Sequence, residues 1–105
     1  MRDDAFKTDT KHQLLINRWI EELGIGTVLE QPFGNYSIDI FIPDLNLGIE
    51  VDGPYHLKRR DFKRDEYLKQ AHGVDIWRIP IKDMGAGYKN KLIDRIMIRV
   101  EELDS

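Results

Sequence analysis

Apolar residues recur along the chain with two different periods, and the switches between them mark out the elements. From Thr10 onward, Leu15, Ile16, Trp19, Ile20 and Leu23 fall at helical spacing. Thr8, Asp9 or Thr10 is available as the N-cap and Gly24 as the stop. Residues 1–8 are polar and expected to be disordered. Thr27 to Phe33 then reads as a strand and Gly34-Asn35 as a tight turn. Tyr36 to Ile42 and Leu47 to Asp52 read as two more strands around the loop Pro43-Asp44-Leu45-Asn46. Gly53-Pro54 ends the third strand. A helical pattern runs from about Arg60 to His72, with Phe62, Leu68 and Ala71 as inner positions and Gly73 as its stop. Val74 to Ile79 is a fourth strand closed by Pro80, and Lys82 to Gly87 is a loop. Leu92, Ile93, Ile96, Met97 and Val100 mark a last amphipathic helix.

The predicted order is therefore α-β-β-β-α-β-α in a single α/β domain spanning residues 1–105. Three consecutive strands imply antiparallel neighbours. The strand-helix-strand unit from Leu47 to Pro80 implies a right-handed crossover to a parallel one. A mixed four-stranded sheet flanked by helices is the expected architecture.

The register of the second hairpin carries the chemistry. If Pro43 to Asn46 forms a four-residue connection, Ile42 faces Leu47, Ile40 faces Ile49 and Ile38 faces Val51, which makes one face wholly apolar. The other face then sets Asp39 opposite Glu50, Ser37 opposite Asp52 and Phe41 opposite Gly48. Directly opposed side chains stand roughly 4.5–5.5 Å apart, and like charges there destabilise a sheet. Asp39, Glu50 and Asp52 on one patch thus call for protons, cationic partners or a metal ion. Oxygen ligands without cysteine suit a hard cation, magnesium or manganese, rather than zinc. The competing structural reading pairs these acids with Lys58 or Arg64 from the following helix. His56, four residues beyond Asp52, can fold back over the strand end to position or deprotonate a water. His12 and His72 read as packing or surface residues.

Composition narrows the classes. With 41% hydrophobic and 33% charged residues the chain has the make-up of a soluble globular domain. No apolar run is long enough to cross a bilayer, and MRDDAFKTDTK lacks the apolar core of a secretion signal. The absence of cysteine excludes disulfides and thiolate metal sites and fits a reducing cytoplasm. The net charge of −3 is unusual for a nucleic-acid binder, but Lys58, Arg59, Arg60, Lys63, Arg64 and Lys69 crowd one segment. Lys89, Lys91, Arg95 and Arg99 recur near the C-terminus; two helices with solvated outer faces would produce the same pattern.

Asp39 followed after ten residues by Glu50-Val51-Asp52 is similar to the PD-(D/E)XK nuclease core, with Asp52 in place of the lysine. More closely, YSIDIFIPDLNLGIEVDGPYH with RRDFKRDEYLKQAHGVDIWRIP resembles the very-short-patch-repair-like endonucleases. These include the EDxHD nuclease domains of phage and intron-type homing endonucleases. The resemblance runs from about Thr10 to Pro80 and implies a restriction-endonuclease-like core. It implies a metal held by Asp39, the Val51 carbonyl and Glu50 or Asp52, with His56 in the catalytic loop. Asp61 or Asp65 would be the downstream acid that orients His56. One position departs: relatives carry a glutamate on the first helix where this chain has Gln13, an amide that cannot take a proton or carry charge. Gln13 is then a natural change, an inactivating one, or simply a solvated helix residue.

The function implied is magnesium- or manganese-dependent hydrolysis of double-stranded DNA in a bacterial or phage-infected cell. Lys58, Arg59, Arg60, Lys63 and Arg64 would meet phosphates, and Tyr55 would lean on the duplex. A long target site would require a further DNA-recognition domain or a second subunit. Two other readings compete: a nuclease-derived domain that grips DNA or a protein without cutting, and a structural module whose acids are merely ion-paired.

Overall fold

The computed structural model describes residues 3–53 and 58–104, and side chains over 10–53 and 61–104. The elements are α1 (Asp3–Glu21), β1 (Val28–Phe33), β2 (Tyr36–Ile42), β3 (Leu47–Asp52), α2 (Lys58–His72), β4 (Asp75–Pro80) and α3 (Tyr88–Asp104). Single turns of 3-10 helix cover Pro43–Leu45 and Ile81–Asp83. The four strands form one sheet in the order β1-β2-β3-β4, antiparallel for the first two pairs and parallel between β3 and β4. This is the α/β order and mixed sheet that the periodicity predicts. Among the described residues no helix is long and apolar enough to cross a membrane.

The central position of β3 follows from its composition. Every residue from Leu47 to Val51 is buried, because helices cover both faces of this strand. Leu47, Ile49 and Val51 join Ile40, Ile42 and Ile79 in a core closed by Ile16 and Ile20 of α1 and Leu92 and Ile96 of α3. A smaller cluster on the other face gathers Ile38, Leu68 of α2 and Val74, with Phe33, Phe41 and Ile76 packed around them. Gly48 is required there: a Cβ at this position would lie 2.8 Å from both Ile38 Cγ2 and Ile76 Cδ1. The Gly34-Asn35 turn joins Phe33 to Tyr36 as expected, with Gly34 in the left-handed region at φ +62°.

Several expectations are corrected. Helix α1 begins at Asp3, so Thr8, Asp9 and Thr10 lie inside it rather than capping it. A helix that runs past its buried face leaves no apolar period to reveal its start. Leu15 is 40% exposed, and the inward positions are Gln13, Ile16, Asn17 and Ile20. In α2 only Leu68 of the three expected inner residues is buried; Phe62 is 68% exposed and Ala71 is also on the surface. The reason is that the inward stripe of α2 is charged. Asp61, Arg64, Asp65 and Leu68 share one face at helical spacing, and the first three meet polar partners on the sheet. Ile38 does not extend the apolar face of Ile40 and Ile42 but packs on the α2 side.

Asp75 ties the layers together. Its carboxylate meets Lys69 Nζ of α2 and Arg99 Nη1 of α3, each at 2.8 Å, and its N–H donates to Asn46 O at 3.1 Å. Arg99 also donates to the carbonyl of Leu45, from Nη2 at 2.8 Å and from Nε at 3.2 Å. The hydrogen bond from Lys69, with further help from Arg99, holds the Asp75 carboxyl below its ordinary value of 3.8 against the opposing effect of burial. A depressed carboxyl contributes stability above its unfolded value and loses it as pH falls through the folded one. Asp75→Asn should therefore cost about 1 kcal/mol at pH 7, a partly exposed pair being screened. The melting temperatures of parent and variant, followed by calorimetry, should converge as pH drops below 3.8.

Candidate metal centre

The site forms where the sheet breaks. β1 and β2 pair at Leu29↔Ile40 and again at Gln31↔Ile38, leaving Glu30 and Asp39 out of the ladder. Glu30 has a left-handed φ of +52°, a conformation that costs a non-glycine residue about 1 kcal/mol or more. On the other side, β2 and β3 pair in the expected register only from Ile42↔Leu47 to Ile40↔Ile49. Beyond that point the expected pairings Asp39–Glu50, Ile38–Val51 and Ser37–Asp52 are absent from the ladder.

Side chains satisfy the backbone groups released by this break. Asp39 N–H donates to Glu50 Oε2 at 2.7 Å, and Val51 N–H donates to Asp39 Oδ2 at 3.0 Å. The Asp39 carbonyl accepts from Gln13 Nε2 at 3.1 Å, and the same amide nitrogen donates to Glu30 Oε2 at 2.9 Å. Asp39 and Glu50 are thus held close together, Glu50 closing the backbone of Asp39 and Asp39 closing that of Val51. Burial, then the charge of Glu50, pushes the Asp39 carboxyl from 3.8 up to about 7, although the Val51 N–H pulls the other way. Glu50, only 5% exposed, is also raised, chiefly by burial and against the influence of Arg64.

The three carboxylates do not all converge. Asp52 Oδ1 accepts from Arg78 Nη1 at 3.2 Å, and among the described residues it does not complete a metal-ligating group with Asp39 and Glu50. Arg78 also grips Asp65 through Nε at 2.9 Å and Nη2 at 2.7 Å, and its Nη1 lies 3.5 Å from Asp61 Oδ2. Asp61 and Asp65 therefore both serve Arg78, a residue to which the sequence motif assigned no role. Burial opposes the charge of Arg78, but Asp65, Asp52 and Asp61 together strengthen its hold on the proton. Glu50 Oε1 is met by Arg64 Nη2 at 2.5 Å. Arg64 thus points inward rather than toward solvent, while Lys63 is exposed. Tyr55 and His56 lie outside the described residues, as do the side chains of Lys58, Arg59 and Arg60. His72 packs against Phe33 and Tyr67, with ring centroids 4.9 and 5.6 Å away, as a packing residue would.

Gln13 is not a solvated residue. It is 6% exposed and uses its amide nitrogen to donate to two acceptors. A glutamate could do neither without a proton, so the amide is fitted to this position. Glu30 is the residue that the sequence reading missed. Extending the Gly34-Asn35 hairpin register backward from Phe33↔Tyr36 places Glu30 beside Asp39, so the signal was present.

No protein-family model matches the chain, and no curated protein sequence is significantly similar to it. Among the described residues no group of three acids or histidines stands in metal-ligating geometry. The donor set that remains is the Asp39 carboxylate, Glu50 and the carbonyl of Val51, whose own N–H Asp39 holds. Such a set fits magnesium, which keeps most of its water and takes one or two carboxylates.

Two stability predictions follow from this geometry. Folding draws the Asp39 pKa upward, so the folded state binds the extra proton between 3.8 and about 7. The contribution of Asp39 to stability is then fully present below 3.8 and is lost as pH rises toward 7, by at most about 4 kcal/mol. Asp39→Asn keeps an acceptor for Val51 N–H without the charge. It should flatten this slope and raise the melting temperature at pH 8 but not at pH 4. Gln13→Glu should destabilise by about 1–2 kcal/mol at pH 8 in urea titrations, because the part-buried Asp39 carbonyl loses its donor and a new like charge stands beside the exposed Glu30 carboxylate.

Proposed function

We propose that this chain is a metal-dependent DNA endonuclease domain that hydrolyses phosphodiester bonds. The observation that carries the proposal is the meeting of Asp39 and Glu50 where β2 and β3 separate, with Val51 between them. Two acidic side chains held together at a break in a sheet are an expensive way to satisfy two backbone N–H groups, and a cation relieves the expense. The resemblance of the same stretch to the very-short-patch-repair-like endonucleases supports the reading independently of the geometry.

Asp39, Glu50 and the Val51 carbonyl would hold the ion, with magnesium or manganese as the fitting choice. When bound, it supplies Lewis-acid stabilisation of phosphoryl charge and a water of lowered pKa. The protein's own contributions are positional. Gln13 fixes the Asp39 carbonyl and the Glu30 carboxylate together, so α1 holds the strand break in one conformation. Arg78 gathers Asp52, Asp61 and Asp65 and keeps these charges off the Asp39–Glu50 pair. Basic residues early in α2 supply sequence-independent affinity for phosphates.

A second reading, a nuclease-derived domain that binds DNA without cutting, draws on Arg64, whose charge already neutralises Glu50. One experiment separates them. Supercoiled plasmid incubated with the parent chain and magnesium or manganese should be nicked, and chelation should stop the reaction. Asp39→Asn and Glu50→Gln should each cut at least about a hundredfold more slowly, as the loss of roughly 3 kcal/mol of charge stabilisation implies. DNA retention by the parent with no divalent-dependent cleavage would establish the binding-only reading instead.

A further inference from the structure

Two arginines enter the ionic layer between α2 and the sheet, and they are satisfied very differently. Arg78 places the Nε–Nη2 edge of its guanidinium on both oxygens of Asp65. The same edge of Arg64 has no such match. Its Nη2 is 2.5 Å from Glu50 Oε1 and its Nε is 3.9 Å from Asp65 Oδ1. Both nitrogens are buried, and among the described residues Nε directs no hydrogen at an acceptor. Nη2 is held close by Glu50, whose carboxyl it pulls down against the effect of burial.

Leaving one donor of a guanidinium edge unmatched out of water is costly. The edge is also a planar fork whose spacing suits two oxygens of one phosphoryl group, the arrangement in which arginine outperforms lysine. Its location is specific, because the charge of Arg64 reaches both Asp39 and Glu50. No basic side chain of β3 can take this place, since the strand ends in Asp52 and Asp52 is bound to Arg78.

We infer that Arg64 is the phosphate-binding residue of the site, placing its Nε–Nη2 edge on two nonbridging oxygens of the phosphodiester that is cut. In the free protein Glu50 holds the guanidinium at that spot by charge. With DNA bound, the phosphate takes over the fork and Glu50 is released to face the cation site. The fork then stabilises the charge that accumulates on the phosphoryl oxygens during attack. This assignment rests on the endonuclease reading and gives Arg64 a role distinct from the other basic residues of α2, which would grip flanking phosphates.

The test compares the parent, Arg64→Lys and Arg64→Gln on a fluorescent duplex of mixed sequence with manganese, separating kcat from KM. Arg64→Lys keeps the charge beside Glu50, so thermal melting should show it folded even where Arg64→Gln is weakened. The expected result is a fall in kcat of about a hundredfold for Arg64→Lys, the scale seen for loss of one transition-state donor, with KM within about threefold. A kcat within about threefold of the parent, or a loss confined to KM, would overturn the assignment while leaving the nuclease reading intact. A folded parent that shows no cleavage with either metal would remove the nuclease reading, and this role for Arg64 with it.

Discussion

Where β2 and β3 part, two carboxylates stand in for the backbone ladder. A buried peptide N–H must find an acceptor, and at Asp39 and Val51 the partner strand no longer supplies one. The side chains of Glu50 and Asp39 supply it reciprocally. This single exchange brings two acids into proximity, keeps them there and ties both to the backbone of the central strand. A carboxyl group can accept a hydrogen bond whether or not it is ionised, so the exchange survives titration of either acid. It therefore combines a fixed geometry with a charge free to vary. That combination is what a cation site demands and what an ordinary ladder hydrogen bond cannot give.

The surrounding elements are arranged to keep this exchange in place. Ile16 and Ile20 anchor α1 in the main core, and Gln13, one turn earlier on the same face, reaches the strand break. Its amide joins the carbonyl of Asp39 to the carboxylate of Glu30, whose left-handed backbone is part of the break itself. A substitution that repels Glu30 would therefore act on Asp39 through the main chain as well as through charge. On the opposite face, Gly48 lets Ile38 and Ile76 close over the strand just before Glu50. The apolar seal thus ends one residue short of the first buried acid.

What the amino-acid pattern could reveal depended on whether the responsible force was periodic. The element order and the register at Ile42↔Leu47 and Ile40↔Ile49 were legible, because the alternating apolar residues of the hairpin favour this pairing. The nearness of Asp39 and Glu50 followed from the same register. The break in the ladder at Asp39 was not legible, since it turns on the φ of Glu30 and no residue-type preference places a glutamate in the left-handed region. Glu50 and Asp52 do share a strand parity, but Arg78 on β4 captures Asp52, and the register of a parallel neighbour is not set by any turn. Phe62 misled for a simpler reason. An apolar period in α2 would turn the aromatic residue inward, while the true stripe of Asp61, Arg64 and Asp65 is ionic.

That ionic stripe argues about the fold as a whole. Replacing a buried acid–arginine network with well-packed apolar residues is commonly neutral or stabilising, so stability alone does not account for its presence. Its distribution is also uneven. Toward the start of β3 and β4 the layer under α2 is built of Ile38, Leu68, Val74 and Ile76. Toward their ends it is built of Glu50, Asp52 and Arg78 with Asp61, Arg64 and Asp65. The change occurs along two parallel strands and leads to their carboxyl ends, the edge at which open α/β sheets bind their ligands. One half of the layer carries the packing that holds α2 on the sheet. The other half is left to charges that packing does not need. A segregation of this kind lets the charged half rearrange without loosening the apolar contacts that keep the helix in register.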